Sequence, residues 1–422
     1  MDTVGIIGLG YVGLPLAVEF GKKIKTIGYD IKKSRIDDLR RNNDLANQLS
    51  KKEIKKAKRL FFTDDFNKLS NCNYIIITLP TPVKKNKTPD LDNIKITCKK
   101  LSKLIKKKTF IIFESTLYPK ACEQEFLPIF IKYSSLKYKK DFFIGYSPER
   151  INVGDKKRSL TSITKIVSGD TEYSKKKIFN LYKKIMNKNI YVAESLAVAE
   201  AAKVFENTQR DVNISLMNEL SIICNKLNIN TSDVLRAAST KWNFLNFYPG
   251  LVGGHCISVD PHYLSYCAKK INHKAILINT GRKINDSMVD FITKKIIDDL
   301  GKLKKKKIIV LGLAFKENCS DIRDSKIFDV IKKLKSFFII EKHDPYVNSD
   351  EVQEMYNENI LAFNDLSKNV DAIIINQKHD YYKNPLVLKK IKKLLKKKAY
   401  IYDLKGLLNS KKIKKDYKVF NL

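Results

Sequence analysis

The sequence predicts an α/β protein: two parallel-sheet domains joined by a long central helix. Three observations carry the prediction. Short apolar stretches alternate with amphipathic helical ones from the N-terminus, a second alternation starts at Lys307, and an unbroken helical run lies between them.

In the first alternation the candidate strands are residues 4–7, 26–29, 74–78, 110–114 and 142–146. Strands separated by helices pair in parallel, because each crossover returns the chain to the same edge of the sheet. Residues 196–227 then form a helical run, Ala-rich at first, with neither Pro nor Gly to interrupt it. Further helical segments flank a loop bearing Pro, Gly and Cys at 249–261. The second alternation has candidate strands at 308–311, 337–342, 372–375 and 399–402. The expected divisions are 1–195, 196–300 and 301–422.

A chain of 422 residues is long enough for two or three domains, and 43% hydrophobic content is ordinary for globular material. The net charge of +36 is the unusual feature and raises the question of nucleic acid. Only ten of the 81 basic residues are Arg, and the lysines are scattered in short runs such as 106–108, 175–177 and 304–307. That distribution reads as solvated surface, and the expectation is no nucleic-acid partner. Seven cysteines without a CxxC pair argue against a disulfide framework or a metal site. Residues 4–20 are apolar, yet they hold spaced glycines, Pro15 and Glu19, so they read as strand, turn and helix and not as a membrane segment. The expected compartment is the reducing cytoplasm.

Gly8-Leu9-Gly10-Tyr11-Val12-Gly13 follows the first strand and opens a helix, and Asp30 closes the second strand. Gly8 permits the tight turn, Gly10 lets a pyrophosphate approach the backbone, and Gly13 allows close helix–strand packing. Free N–H groups at the helix start favour phosphate. A carboxylate at position 30 would accept from ribose hydroxyls and repel a 2′-phosphate, which favours NAD over NADP. The spacing therefore points to a Rossmann-like dinucleotide domain. The second α/β unit opens on Gly312-Leu313-Ala314-Phe315-Lys316, which lacks the three-glycine spacing. Lys316 and Arg323 would suit the diphosphate of a different nucleotide.

In Gly253-Gly254-His255-Cys256-Ile257-Ser258-Val259-Asp260-Pro261, two glycines precede a cysteine and a carboxylate follows four residues on. Cys256 is the candidate nucleophile, with Asp260 to orient or deprotonate water. A cysteine packed in a turn as a small hydrophobe is the bland alternative. His255 points away from its neighbour in an extended chain and reads as having a positional role or none. Lys203 and Asn207, four apart, share one helix face and could hold an oxyanion, though a Lys with a polar neighbour is also common on a surface.

Seven motifs occur in order: GIIGLGYVGLPLA, Thr78-Leu79-Pro80-Thr81-Pro82, Glu114-Ser115-Thr116, Tyr146-Ser147-Pro148-Glu149-Arg150, EAAKVFENT, GGHC, and GLAFK with Asp321-Ile322-Arg323-Asp324-Ser325. Together they resemble the UDP-glucose/GDP-mannose dehydrogenase family along essentially the whole chain. The resemblance implies oxidation of a UDP-sugar at C6 by two hydride transfers to NAD, with Cys256 forming a thiohemiacetal and then a thioester. It implies that Lys203 and Asn207 hold the oxyanion, Asp260 supports proton movement, and Glu149 and Thr116 position or activate water. NAD contacts are implied for Gly8, Gly10, Tyr11, Val12, Gly13, Asp30, Arg35, Thr78, Pro80, Thr81, Thr116 and Arg323. Sugar-nucleotide contacts are implied for Glu149, Arg150, Lys203, Asn207, Phe247, Tyr248, Gly250, Gly253 and Lys316. It also implies a homodimer, with the central helix and its neighbours as a helical dimerisation region. The glucose-specific pattern has Pro-Lys-Asp after the cysteine loop, whereas Val259 precedes Asp260 here. With SPERINVGDK upstream and Lys241-Trp242-Asn243-Phe244, this form resembles the UDP-N-acetylhexosamine 6-dehydrogenases of capsule and O-antigen synthesis.

Overall fold

The computed structural model describes residues 2–45, 48–151, 160–302, 305–408 and 416–422. Residues 152–156 of the SPERINVGDK motif and Lys304 of the lysine run lie outside the described residues. The chain divides into two compact units, Met1–Glu206 with His262–His273, and Asn207–Pro261 with Lys274–Leu422. It is an α/β protein with two Rossmann-like sheets.

In the first unit the strands are β1 (Thr3–Ile7), β2 (Lys25–Tyr29), β3 (Leu60–Thr63), β4 (Tyr74–Ile77), β5 (Thr109–Phe113), β6 (Phe142–Tyr146), β7 (Lys165–Gly169) and β8 (Ile190–Val192). They lie in the order β3-β2-β1-β4-β5-β6-β7-β8. Every neighbouring pair is parallel except β6–β7. The first six strands follow the order of a dinucleotide-binding sheet, which reverses between β1 and β4 and opens a crevice at their carboxyl ends. One face of this sheet carries a core that includes Val4, Ile6, Ile76, Ile112 and Leu14, packed from strand and helix alike.

The second unit holds β9 (Lys307–Leu311), β10 (Ile339–His343), β11 (Val370–Ile375), β12 (Leu395–Asp403) and β13 (Lys418–Asn421), all parallel, in the order β10-β9-β11-β12-β13. The order reverses between β9 and β11. Period-two alternation sorts β9 between two cores. Ile308 and Val310 pack with the helix Ile276–Leu300, and Ile309 and Leu311 pack with Leu394 and Ile391. Truncating such a residue to Ala should cost about 2–5 kcal/mol.

The helical run is a single 31-residue helix, Leu196–Lys226. Four strands lack a sequence signal. Leu60–Thr63 is a half-buried edge strand, Ile190–Val192 has three residues, and Lys418–Asn421 follows a lysine-rich stretch. Lys165–Gly169 is fully buried although it begins on a lysine, because that lysine has buried acidic partners.

Candidate active site

In the first unit the three glycines meet three different demands. Gly8 has φ +93°, a conformation that suits glycine. A Cβ on Gly13 would lie 1.8 Å from Gly8 O and 2.4 Å from Thr78 Oγ1, so the helix Gly13–Gly21 reaches the strand only without a side chain there. A Cβ on Gly10 would meet nothing within 4 Å, and the residue is exposed. Leu9 N donates to Asp30 Oδ2 at 2.9 Å, and Lys32 N to Asp30 Oδ1 at 3.0 Å, which aims the half-buried carboxylate beside the turn.

Arg35 and Thr78 brace this turn from its protein side. Arg35 donates to Leu9 O and pairs with Asp44 at 2.8 Å. Thr78 Oγ1 sits 2.9 Å from Ile7 O and 2.7 Å from Gly8 O. Thr81 donates to Thr116 O at 2.9 Å and its own carbonyl accepts from Tyr263, joining two strand ends to the segment 262–273. Tyr11, Val12 and Thr116 are part-exposed, and Pro80 is exposed.

Also in the first unit, Glu149 is buried. Its Oε1 accepts from Arg150 N at 2.6 Å and from Ile151 N. Arg150 is tied to Glu206 at 2.8 Å and to Thr164 O at 3.0 Å, so its guanidinium locks the segment after β6. Lys203 is buried. One turn before it, Glu200 accepts from Lys120 N at 2.5 Å and Cys122 N at 2.8 Å, and burial pushes its carboxyl up to about 7. This clamp holds the helix turn that carries Lys203.

The cysteine loop lies in the second unit. Gly254 has φ +82°, and a Cβ on it would strike the Phe315 ring at 2.6 Å. A Cβ on Gly253 would lie 2.2 Å from Asp324 O, which also accepts from Gly254 N at 3.1 Å. Ser258 donates to the Asp324 carboxylate at 2.9 Å. The loop is thus pressed onto the segment after β9. Cys256 O accepts from Val259 N and Asp260 N, a turn that leads into the helix Asp260–Lys270. Of the seven cysteines, Cys256 and Cys267 alone are not buried. Asn207 Nδ2 donates to Asp260 Oδ2 at 2.6 Å, and Asp260 is buried.

Arg323 is held by Asp321 through two contacts of 2.9 and 2.6 Å, with His255 3.4 Å from it. His255 also rests edge-on against Phe315. Lys316 Nζ lies 5.4 Å from the Phe315 ring centre. Gly250 N donates to Asn218 Oδ1 at 2.8 Å, Phe247 is half-buried, and Tyr248 is exposed.

Three features are not announced as units by any one motif. Glu114, Lys165 and Tyr182 form a buried cluster beside Glu149. Asp211, Asn218, Arg282 and Asn285 form a buried network under Gly250. A Cβ on Gly250 would come 2.7 Å from Lys405 Nζ, whose ammonium burial pushes down. Their residues are far apart in sequence, so only the fold assembles them.

Family models for the UDP-glucose/GDP-mannose dehydrogenase family match three segments: the NAD-binding domain at 2–186, the central domain at 197–287 and the UDP-binding domain at 309–410. The chain belongs to the UDP-glucose/GDP-mannose dehydrogenase family. It is an NAD-dependent nucleotide-sugar dehydrogenase, and a UDP-sugar is its substrate. The first unit fits the cofactor, because the open side of Gly10 and the braced Asp30 leave room and polarity for pyrophosphate and ribose. The dehydrogenase is 43% identical over 411 residues to the UDP-N-acetyl-D-glucosamine 6-dehydrogenase of Salmonella typhi, covering 96% of each chain. It is 42% identical over 417 residues to the enzyme so named from Pseudomonas aeruginosa, covering 97% of this chain and 98% of that one. The solved UDP-D-ManNAc dehydrogenase of Pyrococcus horikoshii superposes with a TM-score of 0.87 at 26% identity, over 99% of this chain and 98% of that chain. Among the described residues, no helix is long and apolar enough to cross a membrane.

Proposed function

We propose that this dehydrogenase oxidises the C6 hydroxyl of a UDP-N-acetylhexosamine to the carboxylate, with Cys256 as nucleophile, for surface polysaccharide synthesis. The observation that carries the reading is the glycine-lined cysteine loop, pinned by Asp324 and followed by the Asn207–Asp260 pair. The N-acetyl group rests on the two relatives named UDP-N-acetyl-D-glucosamine 6-dehydrogenase.

NAD, when bound, supplies the hydride acceptor for both oxidations. The residues of this chain do the rest. Cys256 Sγ adds to the C6 aldehyde, and the resulting oxyanion meets the Lys203 ammonium and the second N–H of Asn207, the first being given to Asp260. Capture as a thiohemiacetal keeps the aldehyde from release, and the second oxidation leaves a thioester on Cys256. Water then adds to the thioester carbonyl and Glu149 takes one of its protons. The C–S bond breaks and the thiolate leaves. Per sugar, one water and two NAD give a carboxylate, two NADH and three protons.

Residues 1–195 are read as the cofactor domain, 196–300 as the helical dimerisation and cysteine-loop region, and 301–422 as the sugar-nucleotide domain. A homodimer built on the long helix is supported by its exposed Leu216 and Ile223, with exposed Leu227 just past its end. A reaction that consumes NAD and a UDP-sugar belongs in the cytoplasm.

Cys256→Ala should bind NAD with wild-type affinity and lose acid formation by at least about a thousandfold. A variant that still makes acid at the wild-type rate overturns the assignment of the nucleophile. NADH formation across UDP-GlcNAc, UDP-GalNAc and UDP-glucose tests the substrate, and a preference for UDP-glucose overturns the N-acetyl reading.

A further inference from the structure

The cluster around Glu149 contains more charge than its assigned role uses. Lys165, on β7, is 1% exposed, and its Nζ donates to Glu114 Oε2 at 2.8 Å and to Pro148 O at 3.2 Å. Glu114 in turn accepts from Tyr182 through its other oxygen. Lys165 Nζ stands 3.8 Å from Glu149 Oε2, close enough for attraction and too far for a hydrogen bond. Glu149 Oε1 is occupied by two backbone N–H groups, while Oε2 is buried without a hydrogen-bond partner among the described residues. Two carboxylates thus share one ammonium, and burial, together with the repulsion between them, raises the Glu114 carboxyl against the pull of Lys165.

We propose that Lys165 is a positioning residue for Glu149, held off Oε2 by Glu114 and Pro148 so that this buried oxygen stays oriented and keeps its lone pairs for a proton from water. The inference rests on the reading that Glu149 receives that proton during thioester hydrolysis. The backbone N–H groups fix one oxygen. The ammonium draws the other into place without filling its lone pairs, because Glu114, itself tethered by Tyr182, and the Pro148 carbonyl take two of the three Lys165 protons and hold the nitrogen 3.8 Å away. A lysine bonded directly to Glu149 would compete with water for that oxygen.

The test follows single turnover and steady state in Lys165→Met, Lys165→Arg, the charge-balanced Glu114→Gln/Lys165→Met, and Glu149→Gln. Lys165→Met should keep KM for the UDP-sugar within about twofold, give a burst of two NADH per chain, and then turn over at least about tenfold more slowly. Intact mass after acid quench should show the sugar held on the enzyme. Lys165→Arg should recover most of the steady-state rate. The double variant removes one anion with the cation; it should fold as the wild type does and stay slow, and it decides the matter if Lys165→Met does not fold. Full turnover in the double variant overturns the proposal, since Lys165 would then serve only to neutralise Glu114. A slow Glu149→Gln beside a fast double variant removes Lys165 alone, whereas wild-type hydrolysis by Glu149→Gln removes the reading of Glu149 and this inference with it.

Discussion

The turn after β1 and the turn after β9 are built with the same device and finished differently. Gly8 and Gly312 have φ of +93° and +87°, and their N–H groups donate to Tyr29 O and His343 O, both at 2.9 Å. Leu9 N reaches Asp30 at 2.9 Å, and Leu313 N reaches Asp344 at 2.7 Å. Across each reversal point a polar side chain fastens the glycine carbonyl, Thr78 in one case and Asn376 in the other. The difference lies in what comes next. After Gly8 the chain enters a helix at Gly13, and Gly10 is exposed. After Gly312 it runs on through residues 312–326 before the helix Ile327–Leu334. Ala314 is fully buried, its carbonyl takes a hydrogen bond from Gln377 at 3.0 Å, and Asp344 is sealed by His379 at 3.0 Å. One turn leaves its polar groups for a ligand, and the other satisfies them internally and gives its longer loop to Lys316, Asp321 and Arg323.

Gly13→Val should break the open turn outright, since its Cβ would collide with the Gly8 carbonyl. NAD affinity by calorimetry should fall at least about a hundredfold, roughly 3 kcal/mol, while UDP affinity holds. Unchanged NAD affinity would show that close packing at this glycine is not what forms the site.

Asp344→Asn tests the sealed turn. Burial alone would raise this carboxyl, but the hydrogen bond and charge of His379 with the N–H groups of Tyr346 and Ala314 hold it below the usual range. A depressed carboxyl stabilises the fold above its unfolded pKa of about 3.9, and that contribution is lost as pH falls through the lower folded value. The variant should lose about 3 kcal/mol at neutral pH and show a flatter acid side in urea melts. An acid limb as steep as the wild type's would place the titrating group elsewhere. Asp30→Asn should instead leave stability almost untouched and narrow a preference for NAD over NADP that is at least about tenfold in kcat/KM. Equal use of both cofactors by the wild type would refute the role of Asp30. Smallest of all, Ala314→Gly should cost about 1 kcal/mol in stability and create no second NAD site, with binding still one per chain. A second equivalent would mean that the missing glycine alone closes the turn after β9.

The open turn was legible because its three glycines and Asp30 stand within one strand–turn–helix unit, where spacing carries the geometry. The need for glycine in the cysteine loop was legible for the same reason, being confined to a few residues. Arg35, Thr78 and Arg150 were expected at ligands. The geometry shows them bonded to Leu9 O, to Ile7 and Gly8 carbonyls, and to Glu206, so each braces the backbone or helix beside it. Lys165 was hidden because a lysine reads as surface in a chain with 81 basic residues, and its partner Glu114 lies 51 positions away. Strand Leu60–Thr63 escaped because its apolar run is only three residues long and shows no alternation.

The buried amides beneath Gly250 bear on time as well as shape. Asn218 bonds both the N–H and the carbonyl of Gly250, and is held by Asn285, which Asp211 holds in turn. Surface loops usually exchange their amide hydrogens through small local openings. The Gly250 amide has no such route, since releasing it breaks a chain of buried bonds that ends on two helices. Its deuterium uptake should therefore run at the pace of the sheet core, and the approach to the cysteine should behave as a fixed wall and not as a lid.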